Sequence, residues 1–243
     1  MFFIINAIKI IFILGFLVLI HETGHFLVAK LCKVTVKEFA IGFGPTIWKK
    51  QGKVTKYALR LIPLGGFVSM EGEEEHSDKE GSFSKSSIPK RIAIVMAGGL
   101  VNIIFALITY VILITVMTGS INRAIDSTGR FAFSIIESLK LLFSGGVTVS
   151  QLMGPVGISE IIVQTSGIEE FVYIMALISM SLGVTNLLPF PPLDGGKVVL
   201  LLIEAIRRKP LKESTEIKIQ MIGFVVLITL SIIVTFNDIT RIF

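Results

Sequence analysis

Four stretches of the chain are apolar over enough residues to cross a bilayer as helices. The hydrocarbon core of a bilayer is about 30 Å thick, and about 20 helical residues span it. We predict transmembrane helices over residues 1–31, 90–118, 171–206 and 217–237. Three prolines lie between residues 189 and 192 of the third stretch. We predict that this helix is broken there, because proline removes a backbone hydrogen-bond donor.

The hydrophobic pattern changes after the first apolar stretch. Hydrophobic and polar residues alternate over Lys33 to Ala40 and again over Lys56 to Leu61, with Gln51-Gly52 as a turn between them. Alternation with a period of two is typical of half-buried strands. We therefore predict a β-rich loop over residues 33–70.

Two other segments stand out by their polar residues. Glu137 and Lys140 lie three apart in an apolar segment, which favours an amphipathic surface helix over residues 131–145. A group of acidic residues follows the β-rich loop, and we interpret it as a solvated loop. Its members are Glu71, Glu73, Glu74, Glu75, Asp78 and Glu80.

Composition supports a membrane protein. Of the 243 residues, 52% are apolar and 17% are charged, whereas about 25% of the residues in a soluble domain are charged. The high apolar content excludes intrinsic disorder, and the single cysteine, Cys32, excludes a disulfide framework. The net charge of +5 comes with no basic, aromatic-rich nucleic-acid motif, so we expect the bilayer as a partner and no nucleic acid.

The distribution of Lys and Arg predicts the orientation. Residues 30–91 hold twelve of them, whereas residues 119–170 hold three. Cytoplasmic loops carry the excess of positive charge, so the first loop is expected to be cytoplasmic and both termini outside. The predicted fold is an all-α polytopic membrane protein with four transmembrane helices and a small membrane-associated β-element in the first cytoplasmic loop.

A histidine motif ends the first apolar stretch. Two of the three histidines lie in His21-Glu22-Thr23-Gly24-His25. Residues four apart share one face of a helix, so both imidazoles can reach one cation while Glu22 faces a water molecule. This is the H-E-x-x-H pattern of zinc metallopeptidases, although histidines at this depth can also form hydrogen bonds only.

Catalytic zinc needs a third protein ligand. Asp194 follows the proline break, and a cap for the resuming helix is an equally reasonable role for its side chain on local grounds. The first and third crossings run in the same direction, which brings Asp194 to the depth of His21 and His25. We therefore predict that these three residues bind Zn²⁺.

The remaining residues of the predicted site act on protons and on the substrate. Glu22 is the candidate general base, which accepts a proton and later donates it to the leaving amine. Asn186 is an uncharged donor just before the break, and it either stabilises the oxyanion or forms an interhelical hydrogen bond.

These motifs together resemble the site-2 protease family of intramembrane zinc metalloproteases, in the branch of the bacterial regulator-of-sigma-E proteases. The resemblance rests on His21 to His25, Gly42-Phe43-Gly44-Pro45, Leu64-Gly65-Gly66-Phe67, Gly154-Pro155-Val156-Gly157-Ile158 and Asn186 to Gly195. It implies that His21, His25 and Asp194 are zinc ligands, that Glu22 is the general base and that Asn186 contacts the substrate backbone. It also implies that the β-element binds an unwound substrate strand.

The resemblance implies a function, and the sequence also departs from the family pattern in the connection after the second transmembrane helix. We expect residues 1–243 to form a single intramembrane endopeptidase domain in a bacterial plasma membrane, cleaving a single-pass membrane protein such as an anti-sigma factor or a signal-peptide remnant. The short connection between residues 118 and 131 leaves no room for the PDZ domain of this branch. The alternatives are a non-proteolytic membrane scaffold and a metal transporter with the same ligands.

Overall fold

The computed structural model describes residues 2–73, 75, 77–146, 148 and 152–242. Within these residues the chain forms seven helices and two long strands. The elements follow in the order α1 (Phe2–Leu31), β1 (Val36–Gln51), β2 (Lys56–Met70), α2 (Ile88–Thr118), α3 (Ile121–Phe143), α4 (Pro155–Gln164), α5 (Ile168–Asn186), α6 (Asp194–Arg207) and α7 (Glu213–Ile242).

The predicted fold class is confirmed. Four helices are long and apolar enough to cross a membrane, and they are α1, α2, α5 and α7. Their candidate spans are Ile4–Leu31, Ile88–Thr118, Ile168–Asn186 and Glu213–Arg241. The predicted break in the third stretch is also present, because α5 ends at Asn186 and α6 begins at Asp194.

The β-element is an antiparallel hairpin within the predicted range 33–70. Near its turn Gln51 is opposite Lys56, and at its other end Val36 is opposite Met70. The strand segment of residues 66–70 pairs on one side with β1, where Ile41 is opposite Gly66. On its other side, this segment has no paired strand within the described part of the chain, so it forms an edge of the sheet.

Two features between α2 and α5 differ from the sequence prediction. The amphipathic helix predicted over 131–145 begins earlier, at Ile121. The physical reason is a cap, because the Ser120 side chain accepts a hydrogen bond from the Arg123 backbone N–H and satisfies a free donor at the helix start. The short helix α4 was not predicted as an element, and Pro155 occupies its first turn, where proline is well tolerated.

The chain divides into two compact units. One, which we call the site unit, comprises residues 11–102 and 182–223. Its buried apolar cluster combines side chains from α1, the hairpin, the loop before α2, α2 itself and α6, and includes Ala29, Val36, Met70, Phe83, Ile94 and Leu201. The site unit therefore packs the histidine-bearing part of α1 together with the hairpin and α6.

The other unit comprises residues 1–10, 103–181 and 224–243. Here the two ends of α4 are held by oppositely charged side chains. The buried Asp238 carboxylate accepts the backbone N–H groups of Gly154 and Gly157. At the other end, the Lys9 ammonium donates to the Thr165 carbonyl oxygen at 2.7 Å. Both charges have the sign that the helix dipole favours.

Candidate metal centre

Helix α1 supplies three of the predicted site residues. His21, Glu22 and His25 follow one another within its last three turns, and the two histidines share a face because they are four residues apart. The Nε2 atoms of His21 and His25 are 3.1 Å apart. The two side chains are each only 12% exposed, so both imidazoles point at one protected position.

Helix α2 approaches the histidines closely through glycine. A Cβ atom added at Gly98 would lie 2.7 Å from His21 Cε1 and 2.8 Å from His21 Nε2, and closer still to His25 Nε2. A Cβ atom at Gly24 would lie 2.9 Å from the Ala97 carbonyl carbon. Only residues without a side chain fit at these two positions, so the Gly24 and Gly98 contact sets the distance between α1 and α2.

Asp194 reaches the same position from the start of α6. Its Oδ2 atom is 3.3 Å from His21 Nε2 and 3.4 Å from His25 Nε2. The N-cap of α6 is Leu193, not Asp194. The structure therefore favours the ligand role of the Asp194 carboxylate over the capping role.

The separations of these three atoms match a zinc site. Zinc binds histidine nitrogen and carboxylate oxygen at about 2.0–2.2 Å in tetrahedral geometry, which places neighbouring ligand atoms about 3.3–3.6 Å apart. The observed separations of 3.1, 3.3 and 3.4 Å lie close to this range. The residues present thus fit the metal without rearrangement of an element.

A backbone contact orients one ligand. His25 Nδ1 lies 2.8 Å from the Ile94 carbonyl oxygen. A carbonyl oxygen only accepts hydrogen bonds, so Nδ1 is the donor and Nε2 is the ring nitrogen that faces the cluster. Metal-binding histidines usually donate their second N–H in this way.

The ligand count favours a catalytic site. Across the described ranges, the only group of three or more metal-binding side chains that converge on one point is His21, His25 and Asp194. Structural zinc sites are closed by four protein ligands, whereas catalytic sites use three and leave one position open. The three side chains that converge within the described residues are the number that catalytic sites use.

The cluster opens into a cavity of about 200 Å³. Glu22 lines this cavity together with the three candidate ligands, as the predicted general base requires. Asn186 is the last residue of α5 and does not line it. The edge segment of the hairpin does, and the cavity residues outside the predicted set are Phe67, Val68, Met70, Glu73, Val95 and Lys197.

Sequence reasoning missed two charged residues of this cavity. Glu73 belongs to the acidic group interpreted as a solvated loop, but its carboxylate accepts a hydrogen bond from Lys197 at 2.8 Å. Glu71 is also paired, with Lys37 at 3.1 Å, whereas Glu74 lies outside the described residues. Lys197 could have been predicted as a site residue from the sequence, because it lies one helical turn after Asp194 and so on the same helix face.

Comparison with known proteins agrees with this chemistry. The sequence profile of peptidase family M50 matches residues 9–230. A Clostridium acetobutylicum protein, named as a candidate zinc metalloprotease, is 28% identical over an alignment covering 96% of this chain and 97% of that protein. The zinc metalloprotease RasP of Shouchella clausii is 41% identical over 129 residues, which cover 52% of this chain and 31% of RasP.

The long alignment also shows a difference in length from this relative. It extends over 329 positions, more than the 243 residues of this chain, so the Clostridium protein contains sequence that has no counterpart here. Among the elements that the structure describes, none forms a PDZ domain.

Proposed function

The chain belongs to peptidase family M50 and is a zinc metalloprotease of the site-2 protease family, and we propose that it cuts its substrate within or next to a transmembrane segment. The observation that carries this proposal is the position of the metal cluster. His21, Glu22 and His25 lie inside the apolar span Ile4–Leu31. Ionisable groups in such a span are costly and usually mark a functional site.

His21, His25 and Asp194 would hold the zinc ion. When bound, zinc supplies Lewis-acid chemistry that makes water nucleophilic near neutral pH and polarises a carbonyl group. Glu22 lines the same cavity and accepts the proton of the attacking water. It then donates this proton to the amine of the leaving product, so that one carboxylate acts as base and as acid.

The hairpin edge is the proposed docking site for the substrate. Phe67, Val68 and Met70 line the metal cavity and belong to the edge segment of residues 66–70. A substrate helix hides its carbonyl groups, so the segment to be cut must unwind before hydrolysis. The unwound strand would then pair with this edge by backbone hydrogen bonds, and Asn186 would contact its backbone before the cut.

The proposed substrates are single-pass membrane proteins, such as anti-sigma factors or signal-peptide remnants. The chain is a multi-pass membrane protein, and we place it in a bacterial plasma membrane with both termini outside. Support for this orientation comes from the excess of Lys and Arg in residues 30–91. It directs the metal centre, at the end of α1, towards the cytoplasm.

The proposal is tested by Glu22→Gln in proteoliposomes that contain a single-pass reporter substrate with a helix-breaking residue. The variant should retain zinc, because Glu22 is not a ligand, and lose at least about 100-fold in cleavage rate, since general acid–base catalysis contributes that much. Glu80→Gln, which changes an exposed carboxylate, is the matched control and should cleave normally. Cleavage by Glu22→Gln at the wild-type rate would refute the proposed role of Glu22.

A further inference from the structure

Glu73 and Lys197 form an ion pair at the wall of the metal cavity. Lys197 Nζ lies 2.8 Å from Glu73 Oε1, and the side chains are 22% and 20% exposed. Both residues also line a neighbouring cavity of about 500 Å³, whose wall includes the edge residues Phe67, Val68 and Ser69. The pair therefore stands where the metal cavity meets the hairpin edge.

The two partners come from the two parts that must be aligned during catalysis. Lys197 is three residues after the ligand Asp194, in the first turn of α6. Glu73 is three residues after Met70, where the edge strand ends. A hydrogen bond between these side chains thus ties the strand end to the ligand-bearing helix across a sequence separation of 124 residues.

Both partners are anchored. The backbone next to Glu73 is held because the Glu71 N–H donates to the Thr35 carbonyl oxygen and the Phe83 N–H donates to the Glu71 carbonyl oxygen. The Lys197 ammonium lies 5.2 Å from the centre of the Phe83 ring, and Phe83 is only 2% exposed. The Glu73–Lys197 ion pair therefore joins two anchored segments, unlike an ion pair between mobile surface side chains.

From this arrangement, and on the premise of the proposed function, we propose that the Glu73–Lys197 pair sets the register of the bound substrate strand relative to the metal centre and so selects the bond that is cut. Both are positioning residues. A strand advances about 3.3 Å per residue, so a small shift of the edge relative to Asp194 presents a neighbouring carbonyl. A one-residue slip turns every side chain to the opposite face, so slips of two residues are also expected.

The test is the position of the cut, measured by mass spectrometry of both product fragments from the full-length protein in proteoliposomes with the reporter substrate. Lys197→Met keeps an unbranched side chain, one atom shorter than lysine, and removes its charge. It should retain zinc and produce additional fragments, cut one or two residues from the wild-type bond. Glu73→Gln removes the other charge and should give the same additional fragments. Lys37→Met, which breaks the nearby pair with Glu71, is the matched control and should keep the wild-type bond.

The reversed pair Glu73→Lys with Lys197→Glu should restore cleavage at the wild-type bond, which a general loss of stability would not allow. A single unchanged bond in Lys197→Met and Glu73→Gln would overturn the register role, even if the rate fell. Loss of zinc from Lys197→Met would also overturn it, because the residue would then support the metal. Failure of the zinc-loaded wild type to cut the reporter would instead refute the proposed function.

Discussion

Replacement of Gly98 by alanine tests the close approach of α2 to the histidines. The added Cβ atom would lie 2.7 Å from His21 Cε1 and 2.8 Å from His21 Nε2. Non-bonded carbon contacts are comfortable at about 3.5–4.0 Å, so the His21 ring must move away by about 0.8 Å or more. Zinc sites tolerate deviations of about 0.2 Å in ligand distance, so this displacement is larger than the site can absorb.

The expected result is a fall of at least about 10–100-fold in zinc affinity, which is the usual cost of disturbing residues that orient metal ligands. The assay is a competition titration with a chelator on purified protein, with zinc measured by elemental analysis. The additional Cβ atom contacts the histidines directly, so cleavage should fall in parallel with zinc content.

Two glycine controls separate the site from the fold. A Cβ atom at Gly99 would meet Leu187 Cγ at 2.8 Å and the Gly183 carbonyl oxygen at 2.9 Å, so Gly99→Ala strains helix packing, and its nearest contacts are not with an imidazole. Gly129 has open space around the added atom, and Gly129→Ala should be neutral or slightly stabilising. If Gly98→Ala bound zinc as tightly as the wild type, or if Gly99→Ala lost zinc equally, the reasoning from the Gly98 contact would be refuted.

Two further predictions concern stability. Burial alone would raise the pKa of the Glu38 carboxyl, but hydrogen bonds from Arg60 and Lys56 hold that pKa below its usual range. At pH 7, Glu38→Gln should therefore be less stable than the wild type by about 1 kcal/mol or less, seen as a lower thermal midpoint. This difference should vanish as the pH falls below about 4, because the wild-type carboxylate is then protonated. An equal difference at all pH values would contradict this. Asp238→Ala leaves the buried N–H groups of Gly154 and Gly157 without their acceptor, so it should reduce stability by about 1–3 kcal/mol for each group. The assay is the unfolding midpoint in detergent, which should be lower than that of the wild type. An unchanged midpoint would mean that Asp238 does not hold α4.

The features predicted correctly are those that local sequence encodes. Apolar length identified α1, α2, α5 and α7, and proline identified the break before Asp194. The H-E-x-x-H motif encodes its own geometry, because helical spacing alone brings His21 and His25 together. The position of Asp194 relative to them followed from the direction of the crossings, which is a global rule that a single sequence can supply.

The features that were missed depend on contacts between distant segments. Glu73 resembles any solvated acidic residue until its partner Lys197 is placed beside it, 124 residues further along the chain. Gly98 resembles an ordinary small residue for helix packing, and its contact with the imidazoles appears only once α1 and α2 are packed. The predicted start of α3 was too late because hydrophobic periodicity does not reveal a polar cap such as Ser120.

The central claim is that one zinc ion is bound by His21, His25 and Asp194. Zinc K-edge X-ray absorption of the purified wild-type protein tests this directly, with Asp194→Ala as the comparison. We predict two imidazole nitrogens and oxygen ligands at about 2.0–2.2 Å, no sulfur from Cys32, and reduced zinc content in Asp194→Ala. A spectrum with sulfur or with other than two imidazoles, or an Asp194→Ala variant with unchanged zinc content and spectrum, would contradict the account.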